Sequence, residues 1–398
     1  MSSIYSAAHL TIIAAAGEDP SYGLPGVSGL LSHKTHQHEV VGCTCLVTPG
    51  GTDQQYEEVE ESRWFSRAWT FQECYSSRRR LFFTNRTVFY VCNSPDRSEG
   101  INVNSGFRRF YDCLPSNADQ IFYPDQSYQM FRRLELYTSR QLTYDSDALD
   151  AILSTLESFA NFTHPVYHIW AIPVYIPIYQ AGLPQIPFIA LGFCHLQPCR
   201  RRHGFPSWSV LGWDGPAKWY NSESKVEMSG FSLVRSPASS GVISLLSYFM
   251  DHSSTNVAEQ PRYIKTRVWG KPASFARLEK SMGHGFEGNF IALALSSDCE
   301  LLLEPYWDTL PSDGSTLLLT SLAHAPYTML ILEKDERCYQ RVGIQRLWNP
   351  TLALTRHRET GEIIDTFPLS NHTLKDWFGE LFNCISSVDK GNMTIVIG

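Results

Sequence analysis

The chain has 398 residues and a formal net charge of −7, with 43% hydrophobic and only 18% charged residues. That composition folds rather than staying disordered, and its length exceeds what a single core usually fills. It also lacks the net basic balance that general nucleic-acid binding requires. Aromatic residues reach 13%, including ten Trp and nineteen Tyr, which points to aromatic-rich cores or a buried partner surface.

The N-terminal stretch MSSIYSAAHLTIIAAAG has an apolar core but no basic start, so it reads as secondary structure and not as a signal peptide. Ten cysteines scattered through a chain without a secretory signal fit a reducing interior with free, mostly buried thiols. The sequons at Asn85, Asn161, Asn371 and Asn392 carry little weight in that setting.

In chain order, SIYSAA ends a helix and HLTIIAAA begins a short strand. GEDPSYGLPGVSG follows as a loop, in which Gly23, Leu24, Pro25 and Gly26 form either a sharp turn or the lining of a pocket. HEVVGCTCLVT reads as one strand. His33, His36 and His38 with Cys43 and Cys45 are the crowded metal-type ligands, but they lack the paired spacing of a zinc site, and no metal is expected. In SRWFSRAWTFQECYSS, the residues Trp64, Ala68, Phe71 and Tyr75 recur on one face of a single predicted helix. Ser62 is its N-cap and the acidic run Glu57 to Glu61 stands before its positive end. RLFFT and TVFYVC are two strands around a tight turn at Asn85-Arg86.

From Asn93 to Gln126 the sequence is polar and loop-like. A second helix follows, capped by Asp145 or Ser146, with Leu149, Ile152, Leu153, Leu156 and Phe159 as its buried stripe. Beyond Thr163 the pattern is mainly β, with FIALGF, GVISLLSYF, FIALALS and STLLLTSL as short strands. The stretch Ser158 to Cys199 carries no Lys, Arg, Asp or Glu, yet Pro165, Pro173, Pro177, Pro184 and Pro187 interrupt it. A helix spanning lipid does not tolerate so many lost backbone bonds, so no membrane span is expected.

The chain has no phosphate-binding G-x-x-x-x-G-K-[ST] loop, G-x-S-x-G elbow, H-E-x-x-H helix or C-x-x-C pair. Glu73 is the one acid inside the aromatic helix. On a continuous wheel it lies opposite the Trp64/Phe71 stripe, with Trp69 one turn before it. Desolvation of a carboxylate beside an indole is one way to tune an acid or base. The alternative pairs Glu73 with Arg78, Arg79 or a backbone amide. The basic runs Arg78 to Arg80 and Arg200 to Arg202 are expected as solvated rims or carboxylate partners, with a phosphate or partner contact as the other reading.

IYSAAHLTIIAAAGEDPSYGLPGV, SRWFSRAWTFQE and SSRRRLFFTNRTVFYVC resemble the C-terminal half of the fungal heterokaryon-incompatibility (HET) domain. The block formed by Trp64, Arg67, Ala68, Trp69, Thr70, Gln72 and Glu73 looks like that domain's final signature. YTSRQLTYDSDALDAILSTL and RRHGFPSWSVLGWDGP are similar to the region that commonly follows it. The family's two earlier blocks have no counterpart, so the resemblance implies an N-terminally truncated domain. It implies a partial, TIR-like α/β domain over residues 1–92, and the residue pattern adds a helical connecting region over 93–160 and a mixed, mainly β region over 161–398, with the resemblance thinning out beyond about residue 220. It further implies a cytoplasmic protein of non-self recognition that triggers programmed cell death through association with other proteins of the incompatibility system or with itself. The distant likeness to TIR domains names Glu73 as the catalytic candidate for an alternative, NAD-cleaving activity, with NAD as substrate and no cofactor. A third alternative is an inactive fragment.

Overall fold

The computed structural model describes residues 2–27, 37–41, 44–48, 52–93, 125–162, 165–175, 188–219, 232–251, 260–278, 287–294, 296–312, 315–321, 328–346, 352–368 and 393–398. The chain divides into two compact units, Met1–Tyr167 and His168–Gly398.

In the first unit, helix α1 (Ser2–Ala7) leads into strand β1 (Thr11–Ala14). Strands β2 (Gln37–Val41) and β3 (Thr44–Thr48) form an antiparallel hairpin. The single strand expected over HEVVGCTCLVT is therefore two, folded back on themselves. Helix α2 (Thr52–Glu60) takes up the acidic run, so those carboxylates are part of a helix and do not merely precede one. Two short helices, α3 (Arg63–Ser66) and α4 (Trp69–Ser76), then lead to strands β4 (Arg79–Phe83) and β5 (Val88–Cys92). β1 pairs with β4 in parallel and β5 pairs with β4 antiparallel, giving the order β1-β4-β5. Phe82 and Phe89 stack at 4.9 Å between centroids, and Trp64 meets Phe82 edge-on at 5.8 Å.

The one helix expected over residues 62–76 is broken at Arg67, whose φ of −86° and ψ of 137° are extended. The cause is tertiary. Ser66 and Ala68 exchange backbone bonds with Gln141, which supplies partners a helix would otherwise have provided. Ser62 caps as expected, but it caps only α3, accepting the Phe65 N–H at 3.1 Å.

Helix α5 (Asp125–Thr138) occupies sequence that reads as loop up to Gln126. Helix α6 (Asp150–Ser158) follows a 3-10 turn over Asp145–Ala148. Asp145 and Ser146 open that turn instead of capping α6, whose first residue has no side-chain cap. Four of the five residues in its expected stripe are fully buried, and Leu153 is half-buried.

From Val166 onward the chain is mainly β, as its pattern indicates. Short strands β6 (Val166–Ile169), β7 (Ile172–Tyr175), β8 (Cys194–His195), β9 (Arg200–Arg201), β10 (Trp213–Asp214) and β11 (Ala217–Lys218) make three two-stranded pairs: β6 with β7, β8 with β11, and β9 with β10. Strands β12 (Ser232–Val234), β13 (Ile243–Ser244), β14 (Tyr263–Leu278), β15 (Gly288–Ala294), β16 (Cys299–Leu303) and β17 (Tyr306–Trp307) open the large sheet. It continues through β18 (Leu317–Ser321), β19 (Thr328–Lys334), β20 (Tyr339–Arg346), β21 (Leu352–His357), β22 (Ile363–Pro368) and β23 (Met393–Ile397). Among the described residues twelve strands join this sheet, in the main order β17-β20-β19-β18-β14-β15-β16-β21-β22.

β14 organises it: its first half pairs with β12 and β23, and its second half with β18 and then β15. A Cβ at Gly270 would stand 2.7 Å from Leu318 Cδ1, so the strands approach there too closely for a side chain. Alternate residues of β15 and β16 enter different clusters. Ile291, Leu293, Leu301 and Leu303 pack with Trp307 and Ile331, whereas Phe290, Ala292 and Leu302 pack with Leu278 and Leu354. Burial on both faces explains the unbroken apolar runs of this region.

Two of the expected strands are not strands. FIALGF holds a 3-10 turn, Phe188–Leu191. GVISLLSYF gives only β13 before turning into helix α7 (Leu245–Asp251), whose Ser247 N–H is capped by the Ser244 hydroxyl at 3.0 Å. Short apolar runs fit a buried strand and a buried helical turn equally well, and here the serine cap decides. Among the described residues no helix is long and apolar enough to cross a membrane.

Candidate functional site

The signature block is a set of packing devices between α3–α4 and the segment that holds α5 and α6. The Ala68 N–H reaches the Gln141 carbonyl at 2.9 Å, and Gln141 returns its N–H to Ser66 at 2.7 Å. Ala68 is buried and Arg67 exposed, but the Arg67 carbonyl accepts from Thr70 Oγ1 at 2.7 Å and from Arg140 Nη1 at 3.3 Å. Thr70 Oγ1 also donates to the Trp64 carbonyl at 2.5 Å and accepts from Arg140 Nη1 at 3.1 Å. The Trp69 indole donates to Asp147 Oδ2 at 3.0 Å. Gln72 accepts the Ser154 hydroxyl at 2.8 Å and donates to the Asp150 carbonyl at 3.5 Å. The Arg140 guanidinium lies between Phe65 and Phe71, 4.3 and 4.9 Å from their ring centroids, where a desolvated cation on an aromatic face is held strongly.

Glu73 is half-buried, and its Oε2 accepts the Trp64 indole N–H at 3.2 Å. A continuous wheel puts these residues on opposite sides, and the break at Arg67 rotates α3 so that they meet. Tyr5 of α1 is the third member. Burial and then the charge and hydrogen bond of Glu73 push the Tyr5 hydroxyl up to about 12. Ser77 Oγ donates to the Glu73 carbonyl at 2.6 Å and bonds Thr11 Oγ1 at 2.7 Å, fixing the end of α4 to the start of β1. Among the described contacts Glu73 pairs with neither Arg78 nor Arg79. Both of those side chains are exposed, while Arg80 is buried, with Nε on the Cys74 carbonyl at 2.5 Å and Nη1 on Asn93 at 2.8 Å.

The glycine loop leaves from the opposite end of β1. Gly17, Gly23 and Gly26 have φ of 74°, 76° and 82°, a left-handed backbone that favours glycine. The Tyr22 ring covers Gly17 closely enough to fill the space of a Cβ, and its hydroxyl reaches Asn85 at 3.0 Å. Leu24 and Pro25 form a turn closed by the Val27 N–H on the Leu24 carbonyl at 3.0 Å. The described contacts of this loop do not include Glu73. His33, His36 and Cys43 lie outside the described residues, as do the side chains of His38 and Cys45. Among the described residues no group of three metal-type ligands gathers.

Sequence reasoning missed Tyr5, Arg140 and Gln141, which complete the block. Arg140 stands alone between polar residues, and only its place after a helix hinted at a docking role. It also missed a buried polar cluster in the second unit. Asp308 bridges His195 Nδ1 at 2.7 Å and Arg341 Nε at 2.6 Å, with all three side chains fully buried. Arg341 further donates to the carbonyls of Leu191, at 2.6 Å, and Phe193, and stacks 3.5 Å over the Phe193 ring.

Residues 1–73 match the family described as heterokaryon incompatibility protein (HET). Comparison with curated proteins and with solved structures finds no match. The match ends at Glu73, the last residue of the signature block.

Proposed function

We propose that this chain, a heterokaryon-incompatibility (HET) protein by its first 73 residues, acts in fungal non-self recognition and triggers programmed cell death by associating with other proteins of that system or with itself. The observation that carries the reading is the use of the block itself: the side chains of Trp64, Trp69, Thr70 and Gln72 all bond within the fold. Such a block builds a docking scaffold and leaves Glu73 held by Trp64 and Tyr5. The parallel β1–β4 pair beside α1 and α4 supports taking the first unit as part of a TIR-like α/β sheet. Ile4 of α1, Ile12 of β1 and Leu10 between them are 64%, 58% and 43% exposed, an apolar surface suited to association. The cytoplasm is the compartment this role requires. No observation favours the NAD-cleaving alternative.

The test is expression of the full chain in fungal cells, scored for growth arrest and cellular NAD. Glu73→Gln keeps an acceptor for Trp64 and should retain arrest with NAD unchanged, while Ile12→Glu, at an exposed site, should abolish it. Arrest lost in Glu73→Gln together with an NAD fall in the unsubstituted chain would overturn the association reading.

A further inference from the structure

The run Arg200-Arg201-Arg202 divides in the structure. Arg200 and Arg202 bracket one carboxylate, Asp214, at 2.7 and 2.5 Å. The middle arginine turns the other way and has no carboxylate within ion-pair distance among the described residues. Its Nη1 donates to the carbonyls of Gly212, at 2.9 Å, and Arg202, and its Nη2 to Phe205 at 2.7 Å. The guanidinium lies 5.3 Å from the Trp213 ring centroid, which fixes its plane. Arg262, exposed just before β14, donates Nη2 to the His203 carbonyl at 2.9 Å. Two guanidinium groups thus hold the single turn His203-Gly204-Phe205, whose first two residues are exposed, and a Cβ on Gly204 would meet nothing within 4 Å.

We propose that this turn is a binding site for one phosphate group, held by Arg201 and Arg262. Arg201 and Arg262 are two cations whose described hydrogen bonds go to carbonyls, on a chain whose total charge is −7. A half-buried guanidinium without a counter-ion is costly, and a second cation beside it adds repulsion. Burial and then the charge of Arg262 pull Arg201 down to about 10, which registers both effects. The Asp308 charge offsets these effects only in part, because Arg341 and His195 already pair with that carboxylate. Of the five N–H donors of a guanidinium, Arg201 spends three on carbonyls and Arg262 one. The remaining donors suit an oxyanion with several acceptor oxygens. Two cations on an acidic chain fit a single phosphate and not a polyanion. The phosphate has two natural sources, a mononucleotide or a phosphorylated side chain.

Isothermal titration of the full chain with inorganic phosphate, against chloride at matched ionic strength, should show saturable uptake of one phosphate per chain. Arg262→Gln should weaken it roughly tenfold and Arg262→Glu abolish it, since a carboxylate there pairs with Arg201. Tighter binding of adenosine monophosphate than of phosphoserine assigns the nucleotide source, and the reverse order assigns a phosphorylated protein. Absence of saturable phosphate uptake, or unchanged uptake in Arg262→Glu, overturns the proposal.

Discussion

Gln141 and Ala68 share a 2.9 Å backbone bond across 73 residues of chain, and that bond stands where α3 and α4 would otherwise have been continuous. The break exists because α5 delivers Arg140 and Gln141 together: Gln141 takes the backbone, and Arg140 fills the space between Phe65 and Phe71. Arg140→Ala therefore removes hydrogen bonds and two ring contacts at once, a loss of about 3 kcal/mol. Hydrogen exchange should show residues 62–76 losing protection by two orders of magnitude, while β15 and β16 are unchanged. Equal loss in both regions would mean that Arg140 supports the whole chain and not the block.

The Tyr5 hydroxyl, pushed up to about 12 by burial and by Glu73, reports on the same cluster. Its folded value lies above the ordinary 10.0, so its contribution to stability is complete below pH 10 and is lost as pH rises toward 12. Glu73→Gln removes the charge but not the burial. Tyr5 should then titrate between 10 and 12, read as the ultraviolet difference between that variant and its Tyr5→Phe derivative. A Tyr5 titration unchanged by Glu73→Gln would show that the carboxylate does not act on it.

In the second unit, burial alone would push the Asp308 carboxyl up, but the Arg341 guanidinium and the hydrogen bond and charge of His195 outweigh it and hold the carboxyl below its ordinary 3.8. A depressed carboxylate stabilises above its unfolded pKa, and that stability fades as pH falls through the folded value, so this cluster resists acid down to about pH 4. Asp308→Asn leaves Arg341 charged and buried without its counter-ion and should cost about 3–5 kcal/mol in urea unfolding. Arg341→Met combined with Asp308→Leu should cost much less, because no charge is then left buried.

What could be read from the chain followed local chemistry. Ser62 as a cap, the Asn85 turn between β4 and β5, and the apolar stripe of α6 all rest on residues within a few positions of one another, and all three stand. The Trp64–Glu73 contact was not legible, since a helical wheel assumes a continuous helix and the interruption comes from residue 141. FIALGF and GVISLLSYF failed for a different reason: an apolar run reports burial, not backbone shape. Arg201 and Arg202 are neighbours with opposite fates, one on carbonyls and the other on Asp214, and no spacing rule separates them.

His168 of β6 is a buried base of the second unit, and among the described residues neither of its ring nitrogens has a hydrogen-bond partner. Burial pulls it down to about 4 from an ordinary 6.5. Between those values the unfolded chain binds a proton that the folded chain refuses, so stability falls as pH drops from 6.5 toward 4. The separation corresponds to about 3 kcal/mol. Urea unfolding of the full chain at pH 7 and at pH 4.5 should show most of that loss, together with any acid sensitivity from other groups. His168→Phe replaces an unsatisfied ring by an apolar one of similar size and should remove this part of the pH dependence while matching or exceeding native stability at pH 7. If His168→Phe were destabilising at pH 7 and left the acid slope intact, the imidazole would have a bonded partner and its burial would not be the source of the slope.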